Sequence, residues 1–188
     1  MAIPTVLLSQ TIPVAQAGDT LETAVRQHAR LVYRIAYSVL RNHHDAEDAT
    51  QETFLKVLRY GSKLERIEDQ RNWLARIAWR VAVDRRKTSW RAMQDVGPEE
   101  IEQLRSAVTG PDEMLLGSEI GKVLEKIMAS LPEKLRDPML LSTVEEMTPA
   151  DISAVLGINE AAVRSRLFRG RQTIKEKLQS LLGGSHGT

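Results

Sequence analysis

The chain has 188 residues, which is enough for one mid-sized domain or two small ones. Its 26 Lys and Arg residues nearly balance its 25 Asp and Glu residues, so a nucleic-acid-binding surface would require local clustering of the cations. Cysteine is absent, which excludes disulfides, thiolate metal sites and cysteine nucleophiles. No apolar run approaches the roughly 20 residues of a membrane span, and no basic residue precedes the short apolar stretch at the N-terminus. We therefore expect a flexible tail over residues 1–18 and a cytoplasmic protein without membrane insertion.

Residues 19–90 are predicted to form a first helical domain, because apolar residues recur at helical spacing and strand signals are almost missing. Its first helix carries one stripe, formed by Leu21, Val25, His28, Val32, Ile35 and Val39. Asp45 is the expected N-cap of the second helix, with Asp48 as its capping-box partner, which leaves His43 and His44 in a loop. The buried side of this second helix is expected to contain Ala49, Thr50, Thr53, Phe54, Val57 and Leu58.

The opposite side of the second helix is acidic and carries Asp48, Gln51, Glu52 and Leu55. Charged stripes of this kind are usually only solvated. Nothing in the sequence indicates a cleft around these carboxylates, so acid–base catalysis is not predicted. The two adjacent histidines cannot both point at one ion from a regular helix, and no third ligand is evident. We therefore predict no catalytic residue, no metal ion and no cofactor.

The third helix is predicted to begin near Arg71, after Gly61 ends the second helix and a polar loop spans 62–70. Its core stripe is expected to contain Leu74, Ile77, Ala78 and Val81. Residues 71–91 hold seven cations against one acid, and all three tryptophans of the chain. Helical geometry places Trp79 on the flank of a face that carries Trp73, Arg76, Arg80 and Lys87. Guanidinium groups and flat rings suit the phosphates and unstacked bases of single-stranded DNA. The alternative is a solvated basic face with tryptophans that complete the core.

Helical periodicity fades over residues 91–111, which contain two prolines, two glycines and four acids. We expect a flexible acidic linker there, with a short helix near 99–107. Helical patterning resumes at about Asp112, so residues 112–183 are predicted to form a second helical domain, followed by a short tail over 184–188.

A helix-turn-helix is predicted within the second domain. Thr148 is placed as an N-cap, with Pro149 at the first helical position and Asp151 as the capping-box partner. Gly157 can take the left-handed conformation that ends this helix, and Asn159 caps the next one. The buried side of the next helix is expected to contain Val163, Leu167, Gly170, Ile174 and Leu178.

The outward side of that last helix is predicted to carry Ala161, Arg164, Ser165, Phe168 and Gln172. Arg169 lies alongside, and Arg171 belongs to the same basic cluster. A solvent-facing phenylalanine beside arginine and serine makes a poor surface, but it suits the major groove of duplex DNA. Arginine can bond guanine with two hydrogen bonds, and an aromatic ring can contact a thymine methyl group. The alternative is a helical hairpin with a basic exterior.

Three segments resemble the extracytoplasmic-function (ECF) group of bacterial RNA polymerase sigma factors. DAEDATQETFLKVL (45–58) is similar to the polymerase-binding helix of the group, and NWLARIAWRVAVDRRK (72–87) to the helix that handles the minus-ten promoter element. Residues 131–178, with the fragment VRSRLFRGR, resemble the domain that reads the minus-thirty-five element. The resemblance implies an all-α fold of two small helical domains joined by a flexible acidic linker, the C-terminal one containing the helix-turn-helix.

The resemblance also implies partners and residue roles. The acidic side of the second helix would contact the clamp helices of the largest subunit of core RNA polymerase through Asp48, Gln51, Glu52 and Leu55. The minus-ten element and the melted non-template strand would be bound by Arg71, Asn72, Trp73, Arg76, Trp79, Arg80 and Lys87. The duplex upstream element would be bound by Arg164, Ser165, Phe168, Arg169 and Arg171. The flap of the second-largest subunit and an anti-sigma protein are further expected partners, and the linker would thread toward the RNA exit path.

The chain departs from the family pattern at two places. Trp79-Arg80 stands where the group often has Arg-Asn, which leaves the minus-ten contacts open. Pro138 falls where many members have an apolar residue inside a helix, so Asp137-Pro138 is a candidate helix start.

Two other functions fit parts of the sequence. A free-standing helix-turn-helix repressor or activator would explain residues 131–178, but neither the acidic side of the second helix nor the tryptophan-rich third helix. A small helical hydrolase that uses His44, Glu47 and Asp48 is the enzyme alternative. We expect the chain not to be an enzyme.

Overall fold

The computed structural model describes residues 14–94, 119–144 and 147–183 of the chain. Regular structure in these ranges is entirely helical, which confirms the all-α prediction. In chain order the elements are α1 (Val14–Leu40), α2 (His43–Leu58), a 3₁₀ helix (Gly61–Arg66), α3 (Gln70–Gln94), α4 (Glu119–Ala129), α5 (Glu133–Ser142), α6 (Pro149–Leu156) and α7 (Glu160–Gly183). Within these ranges no helix is long and apolar enough to cross a membrane.

Helices α1, α2 and α3 form a first unit, in which α1 lies against both other helices. The predicted stripe of α1 is confirmed at Val32, Ile35 and Val39, which are buried, whereas Val25 and His28 are half-buried. The core stripe of α3 is likewise buried at Leu74, Ala78 and Val81. A helix that buries one face against two neighbours gains most of its stability from that packing.

The prediction for the start of α2 was wrong. Asn42, in an extended conformation, caps the helix, and its Oδ1 accepts a hydrogen bond of 2.9 Å from the amide of Asp45. His43 and His44 are therefore the first residues of α2 and do not lie in a loop. Both Asn42 and Asp45 are good capping residues, and the one that the chain reaches first satisfies the free amides of the first turn.

The prediction for the end of α2 was also partly wrong. Leu58, expected in the core, is 51% exposed, and Gly61 does not end α2 but begins the 3₁₀ helix with a φ of +52°. Leu64 in that 3₁₀ helix is buried, so this segment closes one end of the core and is not a purely polar loop. Thr53 and Val57 are buried as expected, while Thr50 and Phe54 are half-buried.

Two helices extend beyond their predicted limits. α1 includes residues 14–18 of the predicted tail, and α3 continues to Gln94, four residues into the predicted linker. Ala15, Gln16 and Ala17 are good helix formers that the tail prediction overlooked. The rest of the acidic linker, its expected short helix near 99–107, and both terminal tails lie outside the described residues.

Helices α4 to α7 form the second unit, and its helix-turn-helix is confirmed in detail. Thr148 and Asp151 form the capping box of α6, and Pro149 occupies the first position. Gly157 ends α6 with a φ of +68°, and Asn159 Oδ1 accepts a hydrogen bond of 2.7 Å from the amide of Ala162 in α7. Each of these residues acts within three or four positions of itself, which is why sequence alone located both helix ends.

In the second unit, the position of Pro138 differs from the prediction, and close packing accounts for Gly170. Pro138 lies inside α5 and does not start it, because Pro132 already caps that helix six residues earlier. Gly170 in α7 is buried against α5, and a Cβ atom placed there would lie 2.8 Å from Cγ of Met139. Val163 and Leu167 are buried as predicted, whereas Ile174 and Leu178 are half-buried. The two units also contact each other, mainly through α3 and α6.

Candidate functional site

The predicted acidic side of α2 is a solvent-facing surface. Asp48 and Gln51 are exposed, Glu52 is half-exposed, and Leu55 beside them is 60% exposed. The opposite side of α2 packs against α1 and α3 through Ala46, Ala49, Thr53 and Val57. An exposed leucine flanked by carboxylates can join a charged contact to an apolar one. We call Asp48, Gln51, Glu52 and Leu55 the acidic surface.

Arg85 of α3 holds both carboxylates of the acidic surface. Its Nε donates a hydrogen bond of 2.8 Å to Oε2 of Glu52, and its Nη1 lies 3.5 Å from Oδ2 of Asp48. Lys56 pairs with the other oxygen of Glu52 at 3.0 Å. Partial burial raises the pKa of the Glu52 carboxyl, but hydrogen bonds from Arg85 and Lys56 outweigh burial and leave that pKa below its ordinary value. Glu52 is therefore ionised at neutral pH.

Helix α3 carries the second surface, the basic face of α3, which consists of Arg71, Asn72, Trp73, Arg76, Arg80 and Lys87. Arg76, Arg80 and Lys87 are exposed, while Arg71, Asn72 and Trp73 are half-buried. The Trp73 ring meets the exposed Tyr60 ring edge to face, with centroids 4.8 Å apart. Cations and accessible rings lie side by side there, the combination that unstacked nucleic acid requires.

Trp79 does not belong to this face, and its predicted position was wrong. Its side chain is only 6% exposed and lies in the core. Ala75, Ala78 and Ala82 are buried on the same side of α3, at the helical spacing that leaves room for a large ring between α3 and its neighbours. Those three alanines were the available signal that this side of α3 is closely packed.

The third surface is the outward face of α7, and all five of its predicted DNA-contacting residues are exposed: Arg164, Ser165, Phe168, Arg169 and Arg171. Phe168 is 71% exposed, more than any other large apolar side chain in the described part of the chain. Arg169 donates a hydrogen bond of 3.1 Å to Oγ of Ser165, and Arg164 pairs with Glu160 one turn earlier. These contacts within α7 orient the arginines without burying them.

Part of the basic face of α3 is bonded to α6. Arg71 Nη1 lies 3.0 Å from Oδ1 of Asp151, and Asn72 Nδ2 donates to the same oxygen at 3.1 Å. Arg76 Nε donates a hydrogen bond of 2.9 Å to the carbonyl oxygen of Ala154. These residue pairs are about 80 positions apart in the chain, so no local sequence pattern could have indicated them.

The residues of the enzyme alternative do not form a catalytic site. His44, Glu47 and Asp48 are exposed on α2, without the enclosure that general acid–base catalysis requires. Among the residues that the structure describes, no group of three His, Asp or Glu side chains could hold a metal ion.

Family models for Sigma-70 region 2 and Sigma-70 region 4 match residues 24–92 and 122–174, which are the two helical units. The chain is 35% identical over 162 residues to the ECF RNA polymerase sigma factor SigE of Mycolicibacterium smegmatis, covering 86% of this chain and 63% of that relative. It is 30% identical over 149 residues to the ECF RNA polymerase sigma-E factor of Escherichia coli K12, covering 73% of this chain and 76% of that relative. The chain belongs to the ECF group of sigma factors.

A solved structure supports the same fold for this sigma factor. The sigma factor RpoE of Bartonella quintana, in complex with the anti-sigma factor NepR, matches with a TM-score of 0.59 at 20% identity. The match covers 84% of this chain and 96% of that one. Region 2 accounts for the part of the chain that a free-standing helix-turn-helix regulator leaves unexplained, so the chain is not a regulator of that kind.

The sequence located the three surfaces of the sigma factor but missed what surrounds them. Arg85 was counted among the cations of α3, yet it turns toward α2 and binds the acidic surface. Tyr60, which the sequence patterns do not single out, adds an exposed ring beside the half-buried Trp73. Asp151 was assigned only a capping role, whereas it also binds α3. Each omission involves a contact between separate elements.

Proposed function

We propose that this sigma factor binds core RNA polymerase through the acidic surface of α2, opens the minus-ten element along the basic face of α3, and reads the minus-thirty-five duplex with the outward face of α7. In this role it directs promoter recognition, promoter melting and transcription initiation in the cytoplasm, and it is not an enzyme. The clamp helices of the largest polymerase subunit are the proposed partner of region 2, and the flap of the second-largest subunit that of region 4.

The acidic surface is the observation that carries this proposal. A DNA-binding regulator has no need of two acidic side chains beside a 60% exposed leucine, with a dedicated arginine that pairs with both. That combination suits a protein partner, because exposed apolar area drives association and charge pairs fix its orientation. An anti-sigma protein is a further proposed partner, since the sigma factor RpoE of Bartonella quintana is in complex with the anti-sigma factor NepR.

The DNA assignment rests on the contrast between α3 and α7. α7 presents arginines and a phenylalanine on the exposed side of one 24-residue helix, which fits the major groove of duplex DNA. The basic face of α3 combines cations with the paired rings of Trp73 and Tyr60, which suits stacking on unpaired bases. Trp79, being buried, is left out of the proposed contacts.

The double charge reversal Asp48→Lys with Glu52→Lys tests the proposed polymerase contact. It should abolish binding to purified core polymerase, measured by fluorescence anisotropy, and with it transcription from any promoter. The matched control is Glu22→Lys with Glu68→Lys, two exposed acids of the first helical unit outside the acidic surface. The neutral variant Asp48→Asn with Glu52→Gln guards against a folding defect and should weaken binding less than the reversal. Full core affinity of the correctly folded reversal variant would refute the assignment.

A further inference from the structure

We propose that the basic face of α3 is a shared binding surface. In the free sigma factor it holds α6 of region 4, with Asp151 as the central contact, and melted DNA reaches it only after region 4 has moved away. The inference rests on the proposed role of α3 in melting. It assigns three acidic residues of region 4, Asp151 of α6 and Glu133 and Asp137 of α5, as an occupant of α3 that excludes DNA.

The first observation is chemical. The Asp151 carboxylate accepts from Asn72 at 3.1 Å and pairs with Arg71 at 3.0 Å, and the Ala154 carbonyl accepts from Arg76 at 2.9 Å. An anionic oxygen and a carbonyl oxygen thus occupy three side chains that are proposed to bind the DNA strand. Phosphate oxygens bind arginine and asparagine through the same donors. A donor that is bonded to Asp151 is not available to a phosphate.

The second observation is that the Asp151 carboxylate is charged and already oriented in its contact with α3. Partial burial raises the pKa of Asp151, but hydrogen bonds from Thr148 and Asn72 and the charge of Arg71 lower it below its ordinary value. Asp151 is therefore ionised while it is bonded to α3. Its capping box with Thr148 fixes the orientation of the carboxylate, so little side-chain freedom is lost when α6 binds α3.

A second, weaker patch lies farther along α3. Arg86 lies 3.9 Å from Asp137 and Lys87 lies 3.9 Å from Glu133, both beyond hydrogen-bond distance. Burial raises the pKa of Asp137 and lowers that of Arg86, so their charges are imperfectly compensated. Closure is thus held by one well-bonded patch and by one patch of weaker ion pairs, a combination that suits a reversible contact.

The third observation is the distance between the two promoter elements. The minus-ten and minus-thirty-five elements lie about 25 base pairs apart, which is about 85 Å of duplex DNA. Regions that are joined by hydrogen bonds between α3 and α6 cannot bind both elements of one promoter. The segment between Gln94 and Glu119 can reach about 85 Å when fully extended, so the chain length permits the separation.

Closure leaves the outward face of α7 uncovered. Phe168 and Arg164 remain exposed in the closed arrangement, and so does Arg80 of α3. The contact therefore blocks the proposed strand-binding donors near the start of α3 selectively, and it leaves the duplex-reading residues accessible. Selective block of one DNA surface gives the proposal a measurable signature in the free protein.

Energy transfer and strand binding, measured on the same full-length protein, test the proposal. Because the chain has no cysteine, Glu47→Cys on α2 and Gln179→Cys on α7 provide two exposed labelling sites for a dye pair. The opening variants are Asp151→Asn, which keeps an oxygen for the capping box, and Glu133→Gln with Asp137→Asn, which leaves the cap untouched. The matched control, Glu125→Gln with Glu176→Gln, removes two exposed charges of region 4 elsewhere. The probe is a fluorescent single-stranded oligonucleotide.

Both opening variants should lower the energy transfer and strengthen oligonucleotide binding, whereas the control should change neither. If the wild-type protein is roughly 90% closed, opening raises the affinity for the oligonucleotide about tenfold.

Unchanged energy transfer in both variants would overturn the proposal. If the variants open but bind the oligonucleotide no better, Arg76→Ala with Arg80→Ala is added to the Asp151→Asn background. A drop in binding then shows that α3 binds the strand and that closure does not block it. No drop shows that the proposed function of α3 is itself wrong.

Discussion

Helices α3 and α7 both carry a row of arginines with an aromatic ring, yet they are embedded differently. α7 packs through one side against the other helices of region 4, and its outward ring, Phe168, is 71% exposed. α3 packs against α1 and α2 on one side and α6 on another, so Trp79 is buried and Arg76 is bonded to α6. Cations and aromatic residues therefore indicate a DNA-binding helix, but the number of packed sides decides which residues can reach DNA.

Two of the three tryptophans of α3, Trp73 and Trp79, provide the largest expected difference. Trp79→Ala should lower the free energy of unfolding by about 3–5 kcal/mol, because it removes a large buried ring and leaves a cavity. Trp73→Ala should cost less, since that ring is only half-buried against Tyr60. Urea unfolding followed by circular dichroism measures both values. Equal losses for the two variants would contradict the distinction between a core tryptophan and a surface tryptophan.

The outward face of α7 comes next in expected effect. Arg164→Ala or Phe168→Ala should reduce discrimination between promoters that differ in the minus-thirty-five element by about 1–3 kcal/mol, the value of one specific base contact. Folding should be unaffected because both side chains are exposed. Competition binding of the polymerase–sigma complex to matched and mismatched duplexes gives the discrimination. Gln179→Ala, on an exposed position nearer the end of α7, is the control, and undiminished discrimination in both variants would exclude this face as the reader.

Arg85 gives the smallest expected effect. It orients Asp48 and Glu52, so Arg85→Gln should weaken core polymerase binding by up to about 1 kcal/mol, roughly fivefold, as befits a half-exposed ion pair. Arg85→Lys keeps the charge but loses the forked geometry of the guanidinium group. Its affinity for core polymerase should lie between that of the wild type and that of Arg85→Gln. Lys122→Gln on α4 controls for the loss of one cation. Tighter binding of Arg85→Gln would mean that Arg85 competes with the polymerase for the acidic surface.

Sequence reasoning was most successful where the determinant is local. The ends of α6 follow from Thr148, Asp151 and Gly157, each of which acts on backbone groups a few residues away. The exposed side of α7 follows from one buried stripe and its opposite. Where two nearby residues could each cap a helix, as Asn42 and Asp45 could, local preference did not choose between them.

Contacts between elements account for what the sequence could not predict. The pairing of Arg85 with Glu52 joins residues 33 positions apart, and that of Asn72 with Asp151 joins residues 79 apart. The predicted position of Trp79 was wrong for a related reason. A helical projection gives the direction in which a side chain points from the helix axis, but it does not say how many helices pack around that helix. The flexible acidic linker stays a prediction, since most of it lies outside the described residues.

Permanganate footprinting of promoter DNA tests the central claim, that α3 holds the melted strand while α7 reads the duplex. Core polymerase with the wild-type chain should make thymines of the minus-ten element reactive, and polymerase without the chain should not. Arg76→Ala with Arg80→Ala should abolish this reactivity while core binding persists, whereas Lys122→Ala with Lys126→Ala on α4 should preserve it. Normal reactivity with the α3 variant would contradict the account.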